Sequence, residues 1–250
     1  MSTSTTALVT GSTSGIGAAV ARALAAAGFH VLVTGRSRER GEAVVADIAR
    51  HQGAAVFLPS ELERRPAELR RFAESATDAL GGRVDVLVHS AAVCPAVDTL
   101  ALTDEDLDAA LAVNVRAPQV LTAALAPGMA ERGRGAIVVI GSWMAGVGSP
   151  FVGMYSATKA AEIQLARSWA AEFGPRGVRV NTVSPGVTRA PEEALAEQAV
   201  RSLVAGIPAK RAGTPDEVAA TVAWLVSDAA AYVHGAEIPV DGGISSTRSH

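Results

Sequence analysis

A single doubly wound α/β domain of Rossmann type, with a seven-stranded, mainly parallel sheet and helices on both faces, is predicted by three features of the chain. Short β-branched runs alternate with longer, alanine-rich amphipathic stretches. A glycine-rich turn stands directly between the first run and the first stretch. No repeat, low-complexity segment or linker divides the 250 residues, of which 49% are apolar, enough to close one substantial core. Residues 1–250 are therefore read as one domain.

The β-branched runs predict strands near 7–10, 31–34, 55–58, 84–89, 136–140, 178–184 and 237–240. Amphipathic spacing predicts helices near 15–27, 38–51, 66–80, 103–125, 153–173 and 214–227, with a shorter one near 191–204. Repeated βα units of this kind build a parallel sheet whose ligand crevice opens at the carboxyl ends of the strands.

Charge and composition narrow the partners. A net charge of -3 gives no electrostatic reason to expect nucleic acid or an anionic membrane. Arg36, Arg38, Arg40, Arg64, Arg65, Arg70 and Arg71 are interleaved with Glu39, Glu42, Glu61, Glu63 and Glu68, the pattern of a solvated face, with Arg36 set apart below. Cys94 is the only cysteine and the five histidines lack metal-ligand spacing, so neither an internal disulfide nor a metal centre is expected. The N-terminus has no basic region and no uninterrupted apolar run approaches 18 residues, which predicts an unexported, cytoplasmic protein.

The first turn carries the first chemistry. Thr10-Gly11-Ser12-Thr13-Ser14-Gly15-Ile16-Gly17 follows the first strand and opens the first helix. Glycines there allow a tight turn and let a pyrophosphate approach backbone N–H groups at the positive helix end, so a dinucleotide is the expected ligand. The second strand runs into Gly35-Arg36, where an NAD site usually places a carboxylate for the ribose hydroxyl. Gly35 leaves room and the Arg36 guanidinium can pair with a 2′-phosphate, which favours NADP(H) over NAD(H).

A second constellation supplies a proton. The chain has two tyrosines and two lysines, Lys159 and Lys210, and one of each stands four apart in Tyr155-Ser156-Ala157-Thr158-Lys159, thirteen residues after Ser142. An i,i+4 pair shares a helix face, so the ammonium can lie beside the phenol. A nearby positive charge favours phenolate, which would let Tyr155 exchange a proton near neutral pH.

Read together, Thr10 to Gly17, Asn114, Ser142, Tyr155, Lys159, Pro185-Gly186 and Val240-Asp241-Gly242-Gly243 resemble the classical short-chain dehydrogenase/reductase family, closest in style to bacterial ketoreductases. The resemblance spans nearly the whole chain, with the motifs in family order. It implies that Tyr155 is the general acid/base and that Lys159 assists it and bonds the nicotinamide ribose. It further implies that Ser142 polarises the substrate carbonyl, that Asn114 holds a water in a proton relay, and that the protein is a homotetramer packed through the helices near 103–125 and 153–173. The physics agrees, because hydride arriving at a carbonyl carbon builds negative charge on oxygen and two donors aimed there favour the transition state. Cofactor contacts are expected at Gly11, Ser14, Gly15, Ile16, Gly17, Arg36, Glu61, Leu62, Ser90, Ala91, Ala92, Tyr155, Lys159, Pro185, Gly186 and Thr188.

The chain departs from the family pattern in places. His89-Ser90-Ala91-Ala92 stands where Asn-Asn-Ala-Gly or Asn-Ser-Ala-Gly is usual, and His89 is expected to hold neighbouring strands as asparagine would. Ala92 is expected to bring a methyl group close to the cofactor ribose. Glu61, with Ser60 as an alternative register, replaces the aspartate that takes the adenine amine, and Thr188 substitutes for a threonine usual at Ala190. Trp143, Met144 and Pro150 to Met154 predict a largely apolar pocket wall, with core packing as the alternative for Trp143 and Met154. Residues 190–207 are expected to form a substrate lid, with Glu192, Glu193, Glu197 and Arg201 towards solvent and Leu195, Val200, Leu203 and Val204 towards the pocket.

The function that follows is transfer of a hydride between NADP(H) and a ketone or secondary alcohol, the substrate being a hydrophobic biosynthetic intermediate such as a polyketide. Two rivals stay open: a non-redox or cryptic-redox step on the same fold, motivated by His89 and Ala92, and a cofactor-binding sensor or scaffold.

Overall fold

The computed structural model describes residues 5–189 and 197–247. Its seven strands are β1 (Thr6–Val9), β2 (His30–Gly35), β3 (Ala54–Pro59), β4 (Val86–His89), β5 (Gly135–Ile140), β6 (Val178–Pro185) and β7 (Glu237–Val240). They form one sheet in the order β3-β2-β1-β4-β5-β6-β7, and every pairing is parallel. The helices are α1 (Gly15–Ala26), α2 (Arg38–Arg50), α3 (Pro66–Ala79), α4 (Asp104–Leu111), α5 (Ala117–Glu131), α6 (Gly153–Phe173), α7 (Glu197–Val204) and α8 (Pro215–Val226).

Strand alternation sorts the side chains onto two faces. Leu8, Leu32, Leu87, Ile137 and Val180 point to one and pack with Leu69 of α3, Leu121 of α5 and Trp169 of α6. Ala7, Val9, Val31, Val33, Val88 and Val138 point to the other and meet Leu24 of α1, Ile48 of α2 and Val222 of α8. Burial of each large apolar side chain contributes about 1.5–3 kcal/mol, so the sheet is held from both sides, as strands that read as continuous apolar runs require.

Helix starts follow their capping residues. Ser37 accepts from the Arg40 amide, Thr103 from that of Asp106 and Thr214 from that of Glu217. The helix expected near 103–125 continues to Glu131 and is interrupted by a π turn over Ala112–Arg116. The stretch Asp104–Glu131 is long and apolar enough to cross a membrane, but 61% of its apolar 18-residue window is buried inside the protein, where it serves as a core helix.

Sheet order positions the site. The chain leaves β1 towards β2 and β3 and then returns to place β4 on the opposite side of β1. This reversal opens a crevice at the carboxyl ends of β1 and β4.

Candidate active site

A crevice of about 720 Å³ occupies that reversal point. It gathers Gly11, Ser14, Gly15, Ile16, Gly17, Arg36, Glu61, Leu62, Ser90, Ala91, Ala92, Ser142, Tyr155, Lys159, Pro185, Gly186 and Thr188 along one lining. Of the site residues expected from sequence, Asn114 alone is not part of that lining.

The glycine turn is locked to its neighbours. Buried Ser12 donates to the Val9 carbonyl at 2.6 Å and accepts from the Thr34 amide at 2.9 Å, which stitches the turn to β2. Thr10 Oγ1 accepts from the Ser90 and Ala91 amides at 3.1 and 3.3 Å, which stitches it to the loop after β4. Gly11 has φ +65° and Gly15 φ +50°, a region where other side chains are strained. A Cβ on Gly17 would stand 2.3 Å from the Gly11 carbonyl oxygen, so α1 and the turn meet backbone to backbone.

The turn fits a pyrophosphate. Unlike α2, α4 and α8, helix α1 has no side-chain cap: Ser14 occupies the N-cap position without a cap bond, and no acidic residue lies in the first turn. Its leading N–H groups keep their positive end towards the crevice, the arrangement in which an anion replaces a cap. Exposed Arg36 lines the same crevice and makes no ion pair among the described residues. Arg38 and Arg64 are paired with Glu42 at 3.2 Å and Glu61 at 3.3 Å, as a solvated face predicts.

At the other end stand Ser142, Tyr155 and Lys159. Ser142 follows β5, is 6% exposed, and its Oγ accepts from the Met144 amide at 3.2 Å, so its hydroxyl hydrogen remains available to a substrate oxygen. Helix α6 carries Tyr155 and Lys159, with the Lys159 Nζ 5.9 Å from the Tyr155 ring centre. Lys159 is 2% exposed, donates to the Ile140 carbonyl at 2.8 Å and lies 2.7 Å from Glu162 Oε2. Burial opposes its charge, but the Glu162 carboxylate and Tyr155 outweigh that and hold the ammonium above the usual lysine range. Burial pushes the Glu162 carboxyl up to about 7, against the pull of Lys159.

Asn114 sits in the π turn, where its side chain is fully engaged with neighbouring segments. Its Oδ1 accepts from the Val93 amide at 2.9 Å, while Nδ2 donates to the Val93 carbonyl at 2.8 Å and Thr158 Oγ1 at 3.0 Å. Both donors are thereby spent on fastening the loop after β4 to α6. π turns are often found at functional sites, and this one holds the crevice wall beside Tyr155 and Lys159.

Several expectations are corrected. His89 does not join strands: its Nε2 lies 2.9 Å from Thr122 Oγ1 on α5 and its ring is 5.9 Å from that of Trp169. Burial, with help from the Lys159 charge, holds its pKa down to about 3, so the imidazole is neutral. The expectation for Ala92 is not altered: it lines the crevice and, with no positive φ, takes an alanine without backbone strain. Leu203 is 52% exposed, and Val200 and Val204 pack with Ile207, Val187, Ala212 and Ile244 in a satellite core instead of lining the crevice. A short helix spends its apolar stripe on the nearest uncovered apolar surface, here the loops after β6 and β7. Trp143, Met144 and Met154 are half-buried and do not line the crevice, whereas Phe151 is 61% exposed. Ala190, Glu192, Glu193, Leu195 and the side chain of Glu197 lie outside the described residues.

Sequence reading missed Thr13, Arg40, Glu63, Val93, Val113, Ile140, Gly141 and Pro215 as crevice residues, although Thr13, Val93, Ile140 and Gly141 lie at or shortly after strand ends that it had located. It also missed Glu162, whose place three residues after Lys159 is the only signal the sequence holds.

A family model described as Enoyl-(Acyl carrier protein) reductase matches residues 11–245. The chain belongs to the short-chain dehydrogenase/reductase family. It is 34% identical over 245 residues to Dehydrogenase/reductase SDR family member 4 of Pongo abelii, covering 96% of this chain and 87% of that one. It is 37% identical over 239 residues to D-threitol dehydrogenase of Mycolicibacterium smegmatis, covering 95% and 91%. A solved gluconate 5-dehydrogenase of Burkholderia cenocepacia, in complex with NADP and tartrate, superposes with a TM-score of 0.90 at 29% identity, covering 97% of this chain and 96% of that one. The protein is thus an oxidoreductase of this family, with its sheet and crevice in the family arrangement.

Proposed function

We propose that the protein interconverts a ketone and a secondary alcohol with NADP(H) as cofactor. The observation that carries this reading is one crevice lined at one end by an uncapped helix N-terminus and at the other by Ser142, Tyr155 and Lys159. The nicotinamide, when bound, supplies or accepts the hydride. Gly11, Ser14, Gly15, Ile16 and Gly17 would hold the pyrophosphate, Leu62, Ala91 and Ala92 would flank the adenosine, and Pro185, Gly186 and Thr188 would face the carboxamide. Gly186 suits that position because a Cβ there would stand 2.6 Å from the Asp241 Cα.

In this reading Ser142 donates to the carbonyl oxygen and Tyr155 delivers the proton as negative charge develops on it. Lys159 stabilises the phenolate left behind. Asn114 keeps Val93 and Thr158 in place around the pair. A preference for NADP(H) is supported by Arg36, a cation at the crevice without an ion pair among the described residues, and by the absence of a carboxylate at the end of β2.

Exposed Val147 and Phe151 in the segment joining Ser142 to Tyr155 favour a hydrophobic carbonyl substrate. A homotetramer is supported by the small residues Ala123 and Ala124 on the exposed side of α5 and Ala157 and Ala160 on that of α6, which let helices approach closely.

Steady-state consumption of NADPH with a panel of ketones, paired with product analysis, tests the reading. It expects one alcohol formed per NADPH consumed. Conversion of substrate without net oxidation of cofactor would replace it with a non-redox reaction on the same fold.

A further inference from the structure

Lys159 and Glu162 are both almost fully buried, at 2% and 0% exposure. Three residues apart on α6, they meet at 2.7 Å between Nζ and Oε2. The contact has ion-pair distance, yet neither carboxylate oxygen accepts a well-directed hydrogen bond among the described residues. Burying a carboxylate costs several kcal/mol, and an apolar side chain of similar volume commonly serves packing as well or better. Packing therefore gives no reason for a carboxylate here, whereas its effect on the neighbouring ammonium is direct.

The charges around Lys159 can be enumerated. Tyr155 and Glu162 face it from α6, the Cys94 thiol from the loop after β4, and His89, kept neutral by burial, from the end of β4. Glu162 is the one carboxyl group among these, and its ionised form cancels the ammonium. It also shares the lysine with the Ile140 carbonyl, to which Nζ donates at 2.8 Å.

We propose that Glu162 is a positioning residue: its carboxylate draws the Lys159 ammonium back and cancels part of its field at Tyr155, so phenolate forms at a higher pH than Lys159 alone would allow. The inference adds a regulator to the site on which the proposed function rests. Protonation of Glu162 releases the lysine's charge towards Tyr155, which ties the acidity of the phenol to the state of a neighbour that no substrate touches.

The chain's tyrosine content makes a direct test possible. Tyr232 is fully exposed at the surface, and Tyr232→Phe leaves Tyr155 as the sole tyrosine. Its tyrosinate absorbance is then titrated in that background, with and without NADP⁺, for the parent, Glu162→Gln and Glu162→Asp. Glu162→Leu serves in place of the amide variant if the latter does not fold by circular dichroism. The amide or leucine variant should form tyrosinate on the order of one pH unit lower than the parent, and Glu162→Asp should stay nearer the parent. An unmoved titration, or one displaced to higher pH, overturns the proposal; the latter would mean that the carboxylate serves to keep a buried lysine charged. Because the titration needs no turnover, it separates failure of this inference from failure of the proposed catalysis, which Tyr155→Phe addresses.

Discussion

Gly17→Ala puts a methyl group where the chain has no space for one. The added Cβ would lie 2.3 Å from the Gly11 carbonyl oxygen and 3.0 Å from the Ser12 Cα, both backbone atoms of the glycine turn. Ordinary contact begins near 3.4 Å, so about 1 Å of movement must come from α1 or from the turn. Overpacking of this kind costs about 1–3 kcal/mol, here at the upper end because no flexible side chain can yield. Alanine returns about 1 kcal/mol through its better helix propensity. The net loss is about 2 kcal/mol, a fall in melting temperature of roughly 4–8 °C for a chain of this size. Displacement of the turn should also weaken NADPH binding by roughly tenfold, about 1.4 kcal/mol. Two controls separate clash from strain. Gly28→Ala meets no atom within 4 Å but sits at φ +89°, so it should lose only about 1 kcal/mol and leave cofactor affinity intact. Gly148→Ala has open space and no positive φ, and should change neither. Thermal unfolding and fluorescence titration with NADPH read all three. A Gly17→Ala protein that melts within 1 °C of the parent and binds NADPH as tightly would refute the packing argument for the turn.

Arg36→Asp should reverse the cofactor preference, since it removes the partner for a 2′-phosphate, repels that group and offers an acceptor to a ribose hydroxyl. Dissociation constants for NADPH and NADH decide this, and an NADH preference in the unmodified protein would make Arg36 a surface residue. Ala92→Gly, alone or with His89→Asn, should leave the product distribution unchanged by mass spectrometry; a new product would promote the non-redox rival. His89 also predicts a pH dependence of stability. Its folded pKa of about 3 lies below the ordinary 6.5, so its contribution is present above pH 6.5 and is lost as pH falls towards 3. Glu162, raised from 4.5 to about 7, contributes in the opposite sense, with stability lost as pH rises through that interval. Chemical denaturation of the parent and His89→Asn between pH 3 and 8 should show a shallower acid-side decline in the variant.

Much of the fold was legible because the local signals agreed with one another. Each β-branched run became a strand, and β4 differs only in starting at Val86 instead of residue 84. The π turn at Ala112–Arg116 was not legible, because it arises when the Asn114 side chain fastens to Val93 and Thr158 across the fold. The extension of α5 past Pro127 to Glu131 was missed for a related reason: packing of Met129 and Ala130 into the core outweighs the interruption by proline. At the site, the glycine turn was legible from its place between a strand and a helix and the Tyr155–Lys159 pair from its spacing, whereas Ser142 was marked by the family resemblance. The partners of His89 and Glu162 were not legible, since a histidine at a strand end and a glutamate on an amphipathic helix are both ordinary patterns. Only the three-dimensional packing shows that the first is bonded to Thr122 and that the second lies at ion-pair distance from Lys159.

Tyr155→Phe tests the central claim most directly. The substitution keeps the ring and removes the transferable proton, so turnover of any ketone the parent reduces should fall by about 10²-fold or more while NADPH binding is largely kept. Retention of most of the parent's rate would contradict the assignment of proton transfer to Tyr155, and with it the proposed catalytic site.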